Sequence, residues 1–400
     1  MKELFADECG KLKRQGLFRE LSNLESRSGT RVSIDGKEFL SFCSNDYLGL
    51  AESDALKQAA IQTINEYGFG SGSARLICGN FPAYTRLEKR LAAFKGCRAS
   101  LVFSTGYMAN LGLLTTLAGK GDALILDRLC HASLIDGASL SRATLLRYKH
   151  SDIADLNRVL ELAKSKYRRL WIVTEGVFSM DGDIAPLPEI LEAGDRYGAR
   201  VILDDAHGLG VLGETGAGTP EFYGISPERL ILMGTLSKAV GSLGGYVAGS
   251  QALIDYLRNK ARSFIYTTAL PPAVCAASEA GLKLIEENPD LRNRLWSNIE
   301  RLKQGFNKIE ELTVTDSANS AIIPVIAGEA AAALDFSHRL YERGFLVPAI
   351  RPPTVPQGKS RLRFTVSAGH CQADIDSLIK AMQTFSPVSS EHSMFRQNLT

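Results

Sequence analysis

Apolar positions along this chain fall into two successive alternations. From about Ser53 onward, segments with helical spacing are separated by short apolar runs at Ala99–Phe103, Ala123–Asp127, residues 170–174, Arg200–Asp204 and residues 230–233. Runs of this kind read as strands buried on both faces. Their alternation with helices predicts a mostly parallel sheet covered on either side. Upstream, residues 3–24 carry helical spacing with charge on the opposite face, and residues 29–36 read as a hairpin with an Asp35-Gly36 turn. After Pro271-Pro272 a long helical stretch runs to about Ile309. A second alternation follows: a strand over 321–326, a helix over 329–343, strands over 345–347 and 361–366, and a helix over 372–385. The expected fold is α/β, a large mostly parallel sheet domain with a smaller C-terminal α/β domain. The boundaries drawn are an N-terminal arm over 1–50, the large domain over 51–290, the small domain over 291–386 and a loose polar tail over 387–400.

The bulk numbers narrow the ligand more than the fold. Four hundred residues exceed the size at which one core stops growing, which agrees with two domains. Lys+Arg 46 against Asp+Glu 44 leaves a net charge of +2, with no long run of like charge. This argues against a nucleic-acid or membrane partner and for a small ligand. Seven cysteines, odd in number and without a C-x-x-C pair, read as reduced thiols. The first eight residues carry acids where a signal peptide needs an apolar stretch, so the expected compartment is cytoplasmic.

In an open parallel sheet, ligands bind at the carboxyl ends of the strands. Thr105-Gly106-Tyr107, Asp127, Glu175, Asp204 with His207, and Thr235 with Lys238 all stand there. Each has an ordinary reading: Asp204 as a helix N-cap, His207 and His131 as packed histidines, Lys238 as a solvated helix lysine. The joint placement of Lys238 and Asp204 outweighs these. A lysine amine holds the aldehyde of pyridoxal 5'-phosphate (PLP) as a Schiff base, and a carboxylate keeps its ring nitrogen protonated, which is the pair this chemistry requires. Small residues around Lys238, Ala239-Val240-Gly241 and Leu243-Gly244-Gly245, let backbone approach a ligand. The run Gly208-Leu209-Gly210-Val211-Leu212-Gly213 satisfies G-x-G-x-x-G after a strand, but the Gly- and Pro-rich residues 214–220 that follow are no helix start. It reads as a glycine-rich loop rather than a dinucleotide turn. The six histidines are dispersed without ligand spacing, so no metal site is expected.

Longer motifs carry a family resemblance. Ser44-Asn45-Asp46-Tyr47-Leu48-Gly49, Gly70-Ser71-Gly72-Ser73-Ala74-Arg75, Thr174-Glu175-Gly176-Val177-Phe178-Ser179-Met180-Asp181-Gly182 and Arg351-Pro352-Pro353-Thr354-Val355-Pro356 occur in order. The chain resembles the α-oxoamine synthases, fold-type I PLP enzymes that condense an amino acid with an acyl-CoA and release carbon dioxide. The resemblance implies that Gly106 and Tyr107 serve the phosphate region, His131 stacks on the ring, Asp204 pairs with its nitrogen and Thr235 binds phosphate. It implies that Ser179 and His207 serve the ring oxygen, that Glu175 supports the cofactor and that Lys238 is the Schiff-base lysine. Catalytic roles fall to Lys238, His131, Asp204 and His207. Asn45 and Arg351 match positions near the amino-acid carboxylate, and Arg19, on the N-terminal helical stretch, and Thr354 match substrate positions. Thr267 and Thr268 match a segment that reaches the partner subunit's phosphate, which implies a homodimer with shared sites. The partners implied are an amino acid and an acyl-CoA or acyl carrier protein. Residues 206–213, 234–242 and 349–356 look like the biotin-synthesis branch, which joins alanine to a pimeloyl thioester. Gly216-Ala217-Gly218-Thr219-Pro220-Glu221 is a shape shared with glycine C-acetyltransferase, the alternative.

Overall fold

A computed structural model describes residues 2–15, 17–315 and 319–384. The chain divides into two compact units, Asn45–Ser179 with Asp183–Leu295, and Met1–Ser44 with Met180–Gly182 and Trp296–Thr400. The tail expected over 387–400 lies outside the described residues.

The larger unit is built on seven strands: β1 Ala99–Phe103, β2 Ala123–Asp127, β3 Thr144–Tyr148, β4 Leu170–Glu175, β5 Arg200–Asp204, β6 Leu230–Thr235 and β7 Gly245–Gly249. Their spatial order is β1-β7-β6-β5-β4-β2-β3. Every neighbouring pair is parallel except those of β7, which runs antiparallel between β1 and β6. Strands β2 and β4 are buried along their whole length, as unbroken apolar runs require when helices cover both faces. Two strands were not legible in the pattern. β3 is a sheet edge with mixed burial, and β7 is bounded by glycines that read as loop signals although all five of its residues are buried. The helical stretch after Pro271 is two helices, Pro272–Glu287 and Pro289–Asn307. Pro289 has no amide hydrogen to continue a helix but suits the first position of a new one.

A histidine ties the end of β2 to the chain beyond β4. His150 Nδ1 lies 3.0 Å from Asp127 Oδ1 and its Nε2 lies 3.0 Å from Asp183 Oδ2. Its ring meets Phe178 edge-on at 4.4 Å between centroids. Burial by itself lowers the pKa of this imidazole, but hydrogen bonds and charge from the two aspartates prevail and raise it to about 10. A histidine raised above its ordinary value stabilises the fold fully below about pH 6.5, and that contribution disappears as pH rises through about 10. The stability difference between the wild type and His150→Gln should therefore be largest near pH 6 and shrink toward alkaline pH. Urea melts of both proteins across that range check it; a difference that does not change with pH would assign the effect to packing.

In the smaller unit, strand Arg31–Ile34 turns through Asp35 and Gly36, both with positive φ of 50° and 71°, into Lys37–Ser41. Asp-Gly at this turn satisfies the conformation that two-residue hairpins need. A second sheet pairs Thr313–Val314, Ile322–Gly328, Ser360–Thr365 and Ala349–Ile350 antiparallel, with helix Ala330–Glu342 against it. Two expectations are corrected. Phe345–Leu346 leaves this sheet and pairs parallel with Lys37–Ser41. The N-terminal helix spans Lys2–Arg14 rather than reaching Leu24. Leu21 and Leu24, which would have formed its apolar face, are 99% and 55% exposed, so no burial holds that segment helical.

No helix among the described residues is long and apolar enough to cross a membrane. All seven cysteines are free thiols.

Candidate active site

The carboxyl ends of β4, β5 and β6 open into a cleft of about 170 Å³. Glu175 and Asp204, the last residues of β4 and β5, are register partners, so their side chains leave the sheet on one face. Asp204 is buried. Its Oδ2 accepts from Asn110 Nδ2 at 2.8 Å and its Oδ1 from the Ala206 amide at 3.0 Å. Among the described residues no lysine or arginine closes a salt bridge with it. Asn110 also donates to Ser133 Oγ at 2.9 Å, and Ser133 Oγ lies 2.8 Å from His131 Nδ1. The Ser133 amide donates to the same nitrogen at 3.2 Å. Nδ1 of His131 is therefore an acceptor and its proton sits on Nε2. Burial lowers the pKa of this ring, Asp204 raises it and Lys238 lowers it, with a net decrease that keeps it neutral.

Glu175 accepts from the His131 amide at 2.5 Å. Burial first, then the charge of Asp204, push its carboxyl well above the ordinary range, so it stands beside Asp204 as a neutral acid. Lys238 follows β6 in a turn, half-buried, with Nζ 2.7 Å from His207 Nε2. His207 Nδ1 lies 2.5 Å from the hydroxyl of Tyr47, which is buried at 1% exposure and donates to Asn45 Oδ1 at 3.3 Å.

Helix Gly106–Leu117 begins at the cleft, capped by Thr105, whose hydroxyl accepts from the Met108 amide at 3.1 Å. The first amides of a helix have no intrahelical acceptor and carry the positive end of its dipole, an arrangement that binds anions. A Cβ on Gly106 would come within 3.3 Å of Met233 Cε and 3.4 Å of Thr235 Cβ, so the cradle is tight and bare. Thr235 Oγ1 donates to the Gly244 carbonyl at 2.8 Å, which fixes its hydroxyl beside that helix start.

The cleft thus joins Gly106, Tyr107, His131 and Glu175 with Asp204, His207, Thr235 and Lys238. Tyr107 is exposed at its rim, with its hydroxyl bonded to Asp136. Asn45 joins through Tyr47. Ser179, though buried, is not among the residues lining the cleft, nor are Thr267 and Thr268 of the same unit. Arg19, Arg351 and Thr354 belong to the other unit, where Arg19 is exposed in the irregular segment after the first helix instead of on it. There the Thr354 amide donates to the Arg351 carbonyl at 3.1 Å. The sequence reading missed Asn110, Ser133 and the part played by Tyr47. Asn110 stands four residues after Gly106, hence on the same helix face, which is the signal that identifies it in retrospect.

The residues fit PLP. A buried carboxylate that pairs with no lysine or arginine among the described residues suits a protonated ring nitrogen, a bare helix start suits a phosphate, and a lysine amine lines the same cleft. Among the described residues no cluster of histidine, cysteine and carboxylate side chains is arranged to hold a metal ion.

A fold of this kind with a lysine and an aspartate at adjoining strand ends defines a class, and the chain belongs to it: the family of class I and II aminotransferases matches residues 37–382. The chain is 48% identical to 8-amino-7-oxononanoate synthase of Geotalea daltonii over 382 residues, 95% of this chain and 97% of that one. It is 45% identical to the same enzyme of Thermoanaerobacter pseudethanolicus over 382 residues, 95% and 96% of the two chains. Serine palmitoyltransferase of Sphingomonas wittichii superposes with a TM-score of 0.89 at 33% identity, covering 95% of this chain and 96% of that chain. A further solved serine palmitoyltransferase, with a TM-score of 0.88, 32% identity and coverage of 95% and 96%, contains PLP. The α-oxoamine synthase resemblance read from the motifs therefore holds.

Proposed function

We propose that this chain condenses L-alanine with pimeloyl-CoA, or with a pimeloyl carrier-protein thioester, using PLP, to give 8-amino-7-oxononanoate, CoA and carbon dioxide in biotin synthesis. The observation that carries the chemistry is the convergence of the Lys238 amine, the Asp204 carboxylate and the Gly106 helix start in one cleft. Likeness over nearly the full chain to 8-amino-7-oxononanoate synthases supports the substrates. PLP, when bound, supplies a carbonyl carbon that captures amino groups and a ring that takes up the electron pair left on Cα. Lys238 holds the cofactor between turnovers and, once free, removes the Cα proton of alanine as general base. Asp204 opposes the positive charge of a protonated ring nitrogen. His131, neutral with its proton on Nε2, offers that donor to the thioester oxygen as charge develops there. Asn45 and Arg351 are assigned to the amino-acid carboxylate, Arg19 and Thr354 to the acyl substrate, and Ser179 and His207 to the ring oxygen. The assigned compartment is the cytoplasm.

The stretch shared with glycine C-acetyltransferase has a structural role that is independent of substrate. Glu221 carboxylate oxygens accept from the Thr215 and Ala217 amides at 3.0 and 2.8 Å and close that loop. The substrate test is a comparison of alanine and glycine, each with pimeloyl-CoA and acetyl-CoA. One methyl on Cα is worth only about 1–3 kcal/mol in a pocket, so glycine should be a poor but detectable substrate. Arg19→Ala should raise KM for pimeloyl-CoA. Faster turnover of glycine with acetyl-CoA would move the assignment to the acetyltransferase.

Thr267 and Thr268 stand apart from the cleft of their own chain, which supports a homodimer in which they complete the partner's site. Mixing inactive Lys238→Ala subunits with inactive Thr267→Ala/Thr268→Ala subunits should restore part of the activity after exchange, because one hybrid site is then intact. A fully active monomer in sedimentation would contradict it.

A further inference from the structure

Asn110 is 1% exposed, stands one turn into the helix that starts at the cleft, and directs both of its amide N–H bonds at neighbours there. One goes to Asp204 Oδ2 at 2.8 Å and the other to Ser133 Oγ at 2.9 Å. The placing of nitrogen and oxygen in this amide is forced, because an ionised carboxylate only accepts and the amide oxygen has no proton to give it. That oxygen is buried without a hydrogen-bond partner among the described residues. A buried acceptor left unsatisfied costs stability, so packing alone does not account for an amide at this position.

Each N–H bond fixes a different group. Asp204 Oδ1 accepts from the Ala206 amide at 3.0 Å, two residues along its own chain, and a donor on Oδ2 from another element stops the carboxylate turning about that contact. Ser133 Oγ accepts from Asn110 and places its own proton on His131 Nδ1, 2.8 Å away, a nitrogen that carries none because the Ser133 amide donates to it at 3.2 Å. The order of donation is Asn110 to Ser133 to His131. The reach is short because two helices touch. A Cβ on Gly137, one turn beyond Ser133 in helix Ala132–Leu140, would lie 3.2 Å from the Asn110 carbonyl oxygen and 3.1 Å from Leu114 Cδ1, so glycine there lets the helix that carries Ser133 close on the helix that carries Asn110.

We propose that Asn110 is a positioning residue that sets the orientation of Asp204 and of His131 together, one amide N–H holding the carboxylate and the other holding the serine that faces the imidazole. Asp204 is assigned to the ring nitrogen of PLP and His131 to the thioester oxygen, so one side chain aligns two groups that act in different steps. Asn110 acts through these residues and exchanges no proton itself, since an amide does not titrate.

This role rests on the proposed placing of Asp204 beside the ring nitrogen, and measurements with and without cofactor separate the failure of one from that of the other. In cofactor-free protein, ¹⁵N–¹H spectra should show the two Asn110 Nδ2 protons as separate signals, one displaced by Asp204→Ala and the other by Ser133→Ala. Asn110→Leu, close to asparagine in size, should weaken PLP binding roughly tenfold and slow exchange of the alanine α-deuteron without acyl-CoA roughly 10- to 100-fold. In an Asp204→Ala background, with no carboxylate to orient, the same substitution should change both by less than about threefold, whereas a residue that only fills space would cost the same in either background. Ser133→Ala should lower condensation with pimeloyl-CoA more than it lowers the exchange, because it releases His131 and leaves Asp204 held. Thermal melts check that Asn110→Leu is folded, and Asn110→Ala replaces it in the cycle if it is not. Equal costs of the substitution in the two backgrounds, or an Asn110 signal that does not respond to loss of its assigned partner, overturn the proposal. A protein that takes up no PLP refutes the proposed function, and the two amide signals then decide the anchoring by themselves.

Discussion

Replacing Lys238 by alanine should reduce alanine–pimeloyl-CoA condensation by roughly 10⁴-fold or more, because the substitution removes both the amine that holds the cofactor and the base that takes the Cα proton. The fold should survive, since Lys238 is half-buried in a turn beyond β6 and its neighbours Leu236, Ala239 and Val240 supply the packing there. Steady-state turnover measures the loss. Borohydride reduction of the PLP-loaded wild type, followed by peptide mass mapping, should place the pyridoxyl adduct on Lys238 and nowhere in the variant. An adduct on another lysine would remove Lys238 from its assigned role, whatever the activity of the variant.

The second large effect separates two carboxyl groups that stand side by side. Asp204→Asn keeps the size of the side chain and a carbonyl oxygen but removes the negative charge that opposes a ring nitrogen. Loss of a buried charge partner costs about 3–5 kcal/mol, or roughly 10²- to 10⁴-fold in rate when it falls on the transition state. Glu175→Gln, one strand away in register, should cost less than about tenfold, because burial and the charge of Asp204 already hold Glu175 neutral. The amide can still accept from the His131 amide as the carboxyl does. Exchange of the alanine α-deuteron in the absence of acyl-CoA isolates the step. Equal losses in the two variants, or normal exchange in Asp204→Asn, would put the charge on the wrong group.

The contrast shows why a candidate list is not yet a site. Asp204 and Glu175 were both visible as acids at strand ends, and strand ends are visible because unbroken apolar runs are a local property of the chain. Their difference in charge is not local. It arises because β4 and β5 are neighbours in register, so that burial and the charge of Asp204 together push the carboxyl of Glu175 up. Arg19 illustrates the reverse failure. Helical spacing around it was present, but with Leu21 and Leu24 exposed no apolar face is buried, and the helix stops at Arg14.

Local pattern was enough for the α/β class, for five of the seven strands and for the polar residues that follow them, among them Lys238, Asp204 and His207, since each depends on a few consecutive residues meeting water or the core. Two strands escaped it, β3 because an edge is only partly buried and β7 because small residues look like a loop until neighbours enclose them. The wiring of the site escaped it as well. Asn110 meets Asp204 across 94 positions and Tyr47 meets His207 across 160. No spacing rule spans such distances; those partners are chosen by packing, which desolvates a polar group and makes whichever donor or acceptor then lies within reach its obligatory mate.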